Sequence, residues 1–235
     1  MNARIAASLI ASILLTPAAH GNDVAGWAGS IDAGYTASGG NSDSSTLTGA
    51  ITGRKSVGKL THQLEARGKN TAEGNLRTSE SYRVAGKEDI ALGELNYLFV
   101  TAAWDRDRFN GFEWQASAAA GYGHKLLQTS AQQLSVEIGP GYHHDELPGD
   151  SEDRAVVYAA ANYAWQFAAN AQVSQKASAE QGDDALVSRS LSELAVKMNT
   201  RLALKFTLDI RRTDTPPPGT RNSDRTTALA LAWTY

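Results

Sequence analysis

The segment LALKFTLDIR, residues 202–211, alternates between large apolar side chains and side chains that are polar or, at Ala203, small. A period of two places successive side chains on opposite faces of a β-strand. One face carries Leu202, Leu204, Phe206, Leu208 and Ile210, and the other carries Lys205, Thr207, Asp209 and Arg211. A strand with one apolar face and one charged face separates an apolar medium from a polar one, which is typical of a membrane β-barrel.

The same alternation recurs along the chain and predicts about twelve strands in total. Segment 96–105 is the exception because it is apolar on both faces, and segment 171–179 alternates only weakly. The other segments are 27–37, 45–54, 60–69, 82–87, 114–124, 134–143, 157–165, 193–198 and 228–235. The sequence therefore predicts an all-β fold.

The connections between these segments indicate how the strands run. Connections that are longer and polar cover 38–44, 69–80, 105–112, 143–153, 180–186 and 212–223. Between them lie tight connections at 57–59, 167–169 and 199–201 and connections of intermediate length at 89–95 and 127–132. Membrane barrels have short periplasmic turns and longer outer loops. We therefore predict an up-and-down antiparallel transmembrane β-barrel. The alternative, a soluble lipocalin-like barrel, does not require this phasing.

Residues 1–21 have the pattern of a secretory signal peptide. A positive charge at Arg4 precedes an apolar stretch, 5–15, that is too short to cross a membrane as a helix. A region of small residues follows, with cleavage expected after Gly21 or two residues earlier. The barrel domain is then 22–235, located in the outer membrane of a Gram-negative bacterium.

The composition excludes several other classes of protein. The chain has 235 residues, 22 basic and 25 acidic, and no cysteine. A small secreted domain usually depends on disulfides, which this chain cannot form. The balance of charge gives no basic footprint for nucleic acid. Mean hydropathy is −0.35, and the hydrophobic residues are scattered, which excludes a helical membrane protein.

The tryptophans lie near the predicted ends of strands. Trp27, Trp165 and Trp233 are close to periplasmic ends, and Trp104 and Trp114 flank an outer loop. Aromatic belts mark the boundaries between membrane and water. The simpler explanation is the general preference of aromatic residues for strands, but a belt accounts better for their positions.

The last strand has an apolar face that ends on an aromatic residue. That face consists of Leu229, Leu231, Trp233 and Tyr235. It resembles the terminal signal by which outer-membrane barrels are passed to the barrel-assembly machinery, offering a strand edge to another sheet. The alternative is an ordinary last strand.

Several glycine- and aromatic-rich motifs resemble one family. They are WDRDRF at 104–109 with Gly111, GYG at 121–123, Leu134 with EIGPGY at 137–142, and PPPG at 216–219 before Asp224. They resemble the YdiY-like family of salt-induced outer-membrane proteins, whose domain has no known function. The resemblance covers nearly all of the mature chain. It implies the fold and the outer-membrane location, and it implies no reaction.

Lipid-modifying barrels place a serine and a histidine together on the lipid-facing wall. His62 and His124 fall on apolar faces, but folding their hairpins places them opposite Gly53 and Leu134. Neither histidine then has a serine neighbour in its hairpin. We therefore predict no catalytic residues, and we keep a lipid-modifying enzyme as the least favoured alternative.

Two charged runs contain residue types that could bind ligands. His143, His144, Asp145 and Glu146 are metal-ligand types, but successive residues of a strand point to opposite faces. We interpret them as a solvated loop tip, with contact to divalent cations among lipopolysaccharide phosphates as the alternative. The run 105–108 alternates in sign and is interpreted as a self-neutralising loop or strand end. No metal and no cofactor are predicted.

The charged faces of the strands should line the lumen. The principal predicted lumen charges are Arg54, Glu65, Arg67, Arg83, Glu113, Glu137, Lys205, Asp209 and Arg211. Buried charges must be paired or hydrated. A barrel of about twelve strands is narrower than the sixteen-stranded aqueous porins, so we expect a cross-braced interior with at most a small water path.

These features favour an integral outer-membrane protein that serves envelope or osmotic adaptation. It would contact outer-membrane lipid and lipopolysaccharide and pass at most small solutes or ions. The main alternative is a porin-like channel for small solutes.

Overall fold

The computed structural model describes residues 26–38, 43–183 and 185–235. These ranges form twelve β-strands, and the predicted signal peptide lies outside them. The strands are β1 (Ala28–Ser38), β2 (Ser44–Val57), β3 (Leu60–Glu73), β4 (Leu76–Ala91), β5 (Asn96–Asp107), β6 (Trp114–Gln128), β7 (Gln132–Leu147), β8 (Asp150–Ala168), β9 (Ala171–Gln181), β10 (Leu186–Lys197), β11 (Leu202–Thr213) and β12 (Ser223–Thr234). Within the described ranges, no helix is long and apolar enough to cross a membrane.

The strands form one closed, up-and-down antiparallel barrel. Each strand pairs with its neighbours in the chain, and β1 pairs with β12. In that closing pair Ile31 lies opposite Trp233, and Ser30 lies opposite Thr234. Closure leaves no unpaired strand edge. The predicted fold class and strand number are confirmed.

The connections fall at two ends of the barrel. The turn end holds the start of β1, the end of β12 and the connections 58–59, 92–95, 129–131, 169–170 and 198–201. The loop end holds the connection from β1 to β2 and the connections 74–75, 108–113, 148–149, 182–185 and 214–222.

Two of the predicted outer loops are wrong in extent. Most of 69–80 and 143–153 belongs to strands, which meet in the two-residue turns 74–75 and 148–149. At the second turn Gly149 has a φ of 85° and follows Pro148, which suits a turn that needs a left-handed residue. The polar residues at these strand ends continue the strand pairing, so their polarity alone did not indicate a loop.

The outer wall of the barrel is apolar and exposed. Along β1, Ile31 and Tyr35 are exposed whereas Ser30 and Asp32 face inward and are buried. This is the reverse of a soluble barrel, and it fits a wall that faces lipid. Exposed outward residues include Leu47, Ile51, Leu64, Tyr82, Val84, Val100, Ile138, Leu204, Phe206, Leu229 and Leu231.

The tryptophans lie at strand ends, as predicted. Trp27 immediately precedes β1, Trp114 is the first residue of β6, and Trp233 is the penultimate residue of β12. Trp104 and Trp165 each lie three residues from the end of their strands. Side chains at both ends of the apolar wall are therefore suited to a membrane boundary.

Candidate functional site in the barrel lumen

A network of ion pairs crosses the lumen at Arg189 on β10. Its Nη1 lies 3.2 Å from Oδ1 of Asp105 on β5, and its Nη2 lies 2.6 Å from Oδ2 of Asp209 on β11. Arg83 on β4 pairs with the other oxygen of Asp105. Around the closed barrel, four strands separate β5 from β10 on one side and six on the other. The Arg189–Asp105 pair therefore spans the lumen.

A second set of contacts crosses the lumen beside the first. Arg67 on β3 lies 2.8 Å from Glu65 and 3.6 Å from Glu193 on β10. Lys176 on β9 lies 3.8 Å from Glu65. Strands β3 and β9 are diametrically opposed, because five strands separate them in either direction. The opposite walls are thus joined by several charge contacts.

The lumen also contains a charged and aromatic group near the turn end. Lys87 on β4 lies 2.8 Å from Glu137 on β7, and the Tyr97 hydroxyl donates to the same carboxylate oxygen at 2.7 Å. Lys87 also pairs with Asp89 and lies 5.2 Å from the centre of the Tyr97 ring. Gly123 on β6 makes room for that ring, since an added Cβ would come within 2.2 Å of it.

A fourth group, which is buried, fills part of the loop-end half of the lumen. The Nδ1 of His143 lies 2.5 Å from Glu180, and its Nε2 lies 3.1 Å from Asp145. Arg154 lies 2.6 Å from Oδ2 of Asp145, and the side-chain amide of Gln115 donates to Oδ1, the oxygen that also faces His143. His143 is only 3% exposed, so the interpretation of this run as a solvated loop tip is wrong.

The neighbouring histidine faces the other way, as the strand period requires. His144 stacks on Trp114 with ring centres 4.5 Å apart and pairs with Glu146 and Asp153. The prediction that His143 and His144 point to opposite faces is therefore confirmed. Among the residues that the structure describes, no group of three or more His, Cys, Asp or Glu side chains is arranged to hold a metal ion.

The structure brings most of the predicted lumen charges into this network, but not all. Arg211 and Arg54 line cavities without an ion pair. Glu113 precedes the first residue of β6 and is exposed, so the structure does not bring it into the interior network. Outside a strand, the alternation no longer fixes the face of a side chain. The predicted charges that form ion pairs are Glu65, Arg67, Arg83, Glu137, Lys205 and Asp209.

Sequence reasoning missed several residues of the network. Asp105 was assigned to a self-neutralising loop or strand end, but it faces inward on β5. Tyr97 and Phe99 also face inward, which explains why their segment is apolar on both faces. The available signal was the period of two, which continues from Tyr97 through Asp105.

Two cavities lie on either side of the Arg189 network. The loop-end cavity has a volume of about 130 Å³ and is lined by Lys69, Asp107 and Arg211 among others. The turn-end cavity has a volume of about 670 Å³. Arg83 and Arg189 line both cavities. The cross-lumen network therefore borders both cavities, and we call its members Arg83, Asp105, Arg189 and Asp209 the septum.

Two connections meet across the mouth of the loop end. Gly111, in 108–113, approaches Pro217 and Thr220 of 214–222 so closely that an added Cβ would lie 3.0 Å from each. Gly111 also has a φ of 86°, a conformation that favours glycine. The contact thus depends on glycine at this position and brings together connections from opposite sides of the barrel.

The outward histidines are engaged with partners other than serine. His62 lies 2.5 Å from Glu88, and the Nδ1 of His124 lies 2.6 Å from Asn96. The predicted cross-strand positions were wrong, because His62 lies opposite Lys55 and His124 opposite Val136. The two-residue turn at 58–59 and an irregularity after Lys125 shift these registers.

A closed barrel with an apolar outer wall and a charged interior defines an outer-membrane type of β-barrel protein. The chain belongs to the family of proteins of unknown function DUF481, whose model matches residues 31–235. It is 32% identical over 207 residues to the uncharacterized protein YdiY of Escherichia coli strain K12, covering 87% of this chain and 82% of that protein. The resemblance predicted from the motifs is confirmed.

Solved structures that are similar to this chain include a porin and an autotransporter domain. The NanC porin matches with a TM-score of 0.50 and 9% identity, covering 88% of this chain and 98% of that chain. The translocator domain of the autotransporter NalP from Neisseria meningitidis matches with a TM-score of 0.48 and 11% identity, covering 89% of this chain and 87% of that chain. At such identities, the likeness of the NanC porin shows the fold alone.

Proposed function

We propose that this protein is an outer-membrane barrel whose septum closes the lumen to all but water, small ions and small solutes. The observation that carries the proposal is the position of Arg189, which joins Asp105 to Asp209 between the two cavities. Envelope or osmotic adaptation is the role that best suits such a restricted path.

The electrostatics of the septum favour a closed state. Opposite charges attract strongly in a partly dry interior, and removing one partner leaves a charge that is costly to bury. Arg189 and Asp105 are each about one-fifth exposed and each contact two partners. Moving either side chain aside would break two contacts, which stabilises the septum against passage.

The orientation in the membrane follows from the two ends. Short turns face the periplasm in outer-membrane barrels, and longer connections face outward. We propose that the turn end is periplasmic and that the hairpins around 74–75 and 148–149 lie among lipopolysaccharide headgroups. Export by a cleaved signal peptide and insertion by the barrel-assembly machinery complete this proposal.

Single-channel recording of the purified, refolded protein tests the septum directly. We expect a small or undetectable conductance in planar bilayers at high salt, because the paired charges occupy the constriction. Liposome swelling with uncharged sugars of increasing size should show no permeation beyond the smallest. A large, steady, porin-sized conductance would contradict the septum and would favour the small-solute channel, for which the 670 Å³ cavity is the supporting observation.

We also propose that the barrel is not an enzyme. In the strand register His62 lies opposite Lys55 and Glu88, and His124 lies opposite Asn96 and Val136, so neither histidine has a serine directly across from it. Phospholipid hydrolysis by the refolded protein should therefore not exceed that of a His62→Ala/His124→Ala variant. Hydrolysis by the wild-type protein that this variant loses would establish the lipid-modifying alternative.

A further inference from the structure

Apart from the exposed Arg106, four charged side chains line the loop-end cavity without an ion pair. They are Lys69 on β3, Asp107 on β5, Arg211 on β11 and Asp224 on β12. None has an oppositely charged atom within 4.0 Å among the described residues. Most other inward charges are paired, so this cavity differs from the surrounding lumen.

Although these four side chains share one cavity, they form no ion pairs with one another. Arg211 and Asp224 lie directly opposite each other in the β11–β12 register, yet no ion pair or hydrogen bond joins their side chains. Lys69 donates to the Thr226 hydroxyl at 2.8 Å, and Asp107 accepts from the backbone N–H of Phe109 at 2.9 Å. These neutral partners satisfy hydrogen bonds, and none of the four charges has an oppositely charged atom of the described residues in direct contact.

A fifth side chain of the cavity has one carboxylate oxygen without a hydrogen-bond partner. Asp32 is 7% exposed and lines the cavity, and its Oδ1 has no hydrogen-bond partner. Its other carboxylate oxygen lies 2.6 Å from Lys205. A buried acceptor without a donor is costly, so a ligand that carries a donor would be stabilised here.

We propose that the loop-end cavity binds a small zwitterion carrying one carboxylate and one ammonium group. Arg211 and Lys69 would hold the carboxylate, and Asp107 and Asp224 would hold the ammonium. A simple anion or cation would satisfy only one sign of charge and leave the other unpaired. A zwitterion satisfies both without changing the net charge of the lumen.

The size of the cavity limits the ligand. Its volume is about 130 Å³. A cavity needs on the order of 10–15 Å³ for each water, so this one accommodates a solute no larger than a small amino acid. Asn110, in the connection 108–113, lines the cavity and places the site directly under the contact between the two outer connections. Entry is from the loop end, and this inference rests on the proposed function because the septum lies beneath.

Calorimetric titration of the refolded protein with glycine, β-alanine and γ-aminobutyrate tests the site. These probes carry the same two charged groups at increasing separation. We expect saturable binding of at least one of them, and at least about tenfold weaker binding of acetate and of methylammonium. Arg211→Gln and Asp224→Asn should each weaken the best ligand about tenfold, because each removes a charge-assisted hydrogen bond. Arg54→Gln, an inward charge at the other cavity, is the matched control and should bind like the wild type.

The proposal is overturned if none of the three zwitterions binds saturably. It is also overturned if Arg211→Gln and Asp224→Asn leave the binding unchanged. Acetate or methylammonium binding as tightly as the best zwitterion would show sites for simple ions instead. Each variant is first shown to refold by its heat-modifiable migration in gels. Failure here is distinguishable from failure of the septum, because the conductance of the wild-type protein is measured without any of these solutes.

Discussion

Arg189 on β10 reaches across the lumen to Asp105 on β5, with Nη1 3.2 Å from Oδ1. The two residues are 84 positions apart in the chain, and no turn or neighbouring strand pair brings them together. The barrel wall alone determines their approach. Because Asp209 and Arg83 complete the group, one arginine links three strands across the constriction between the cavities.

Replacing Arg189 should open the lumen. Arg189→Gln leaves Asp209 without its ion partner and removes the bridge to Asp105, so we expect a larger and noisier single-channel conductance than in the wild type. The free energy of unfolding should fall by about 1–3 kcal/mol, the cost of leaving a partly buried charge unpaired. Lys176→Gln is the matched control, since Lys176 is half exposed and its contact is 3.8 Å long. Conductance that Arg189→Gln leaves unchanged would contradict the septum.

The contact of Tyr97 with Glu137 should stabilise the turn-end half of the barrel. Tyr97→Phe removes a 2.7 Å hydrogen bond to a buried carboxylate and should lower the free energy of unfolding by about 1–2 kcal/mol. Gly123→Val should cost more, because its side chain would enter the space of the Tyr97 ring. Denaturant titration in detergent micelles measures both changes. If Gly123→Val cost as much in a Tyr97→Ala background, where the ring is absent, as it does in the wild type, the steric explanation would be refuted.

An epitope scan can determine the orientation of the barrel. A tag inserted at Gly149 or Gly219, at the loop end, should be accessible to antibody on intact cells. A tag at Gly58, in a turn at the other end, should be accessible only after permeabilisation. Surface labelling at Gly58 with none at Gly149 would reverse the proposed orientation.

The wall of this barrel was predictable from sequence because its physics is local. The period of two places Leu204 and Phe206 on the same face of β11, the one that meets lipid, and this placement does not depend on distant residues. The ends of the strands were less predictable. The β7–β8 hairpin continues to Leu147 because backbone pairing does not stop where the lipid stops, so a polar stretch there does not indicate a loop.

The interior was predictable only in part, because its contacts depend on the closed wall. Alternation indicated that Glu65 and Arg67 face inward, but it could not select Glu193 on β10 as a partner. Glu113 was predicted to face the lumen, but it lies in the connection 108–113, where alternation does not determine the direction of a side chain. His143 was misassigned because Pro148 and Gly149 mark a turn, and the polar residues before them were interpreted as part of the same loop.

The C-terminal aromatic residues should be needed for assembly in cells. In the structure they also close the barrel, since the backbones of Tyr235 and Gly29 exchange hydrogen bonds of 3.2 Å and the Tyr235 hydroxyl donates to the Thr52 carbonyl at 3.0 Å. Trp233→Ser/Tyr235→Ser should therefore reduce insertion into the outer membrane, whereas cleavage of the signal peptide should continue.

Refolding separates the two roles of these residues. If the double variant refolds in detergent with wild-type yield but fails in cells, the defect lies in recognition by the assembly machinery. Leu204→Ser/Phe206→Ser, on the same outer wall but one strand away, controls for the loss of apolar surface. Insertion of the C-terminal variant at the level of the wild type would refute the assembly signal.

The apolar wall gives the most direct test that the barrel lies in lipid. Val84 and Leu76 are both exposed residues of β4, at 55% and 74%. Val84 lies near the middle of β4, whereas Leu76 is the first residue of β4, next to the turn 74–75 at the loop end. In phospholipid vesicles Val84→Arg should lower the free energy of unfolding by about 2–4 kcal/mol, because the charge enters the hydrocarbon region, and Leu76→Arg by no more than about 1 kcal/mol. On a barrel surrounded by water, both substitutions would place arginine in solvent and would cost nearly the same. Equal effects of the two variants, measured by denaturant titration in vesicles, would therefore remove the physical basis for a membrane location.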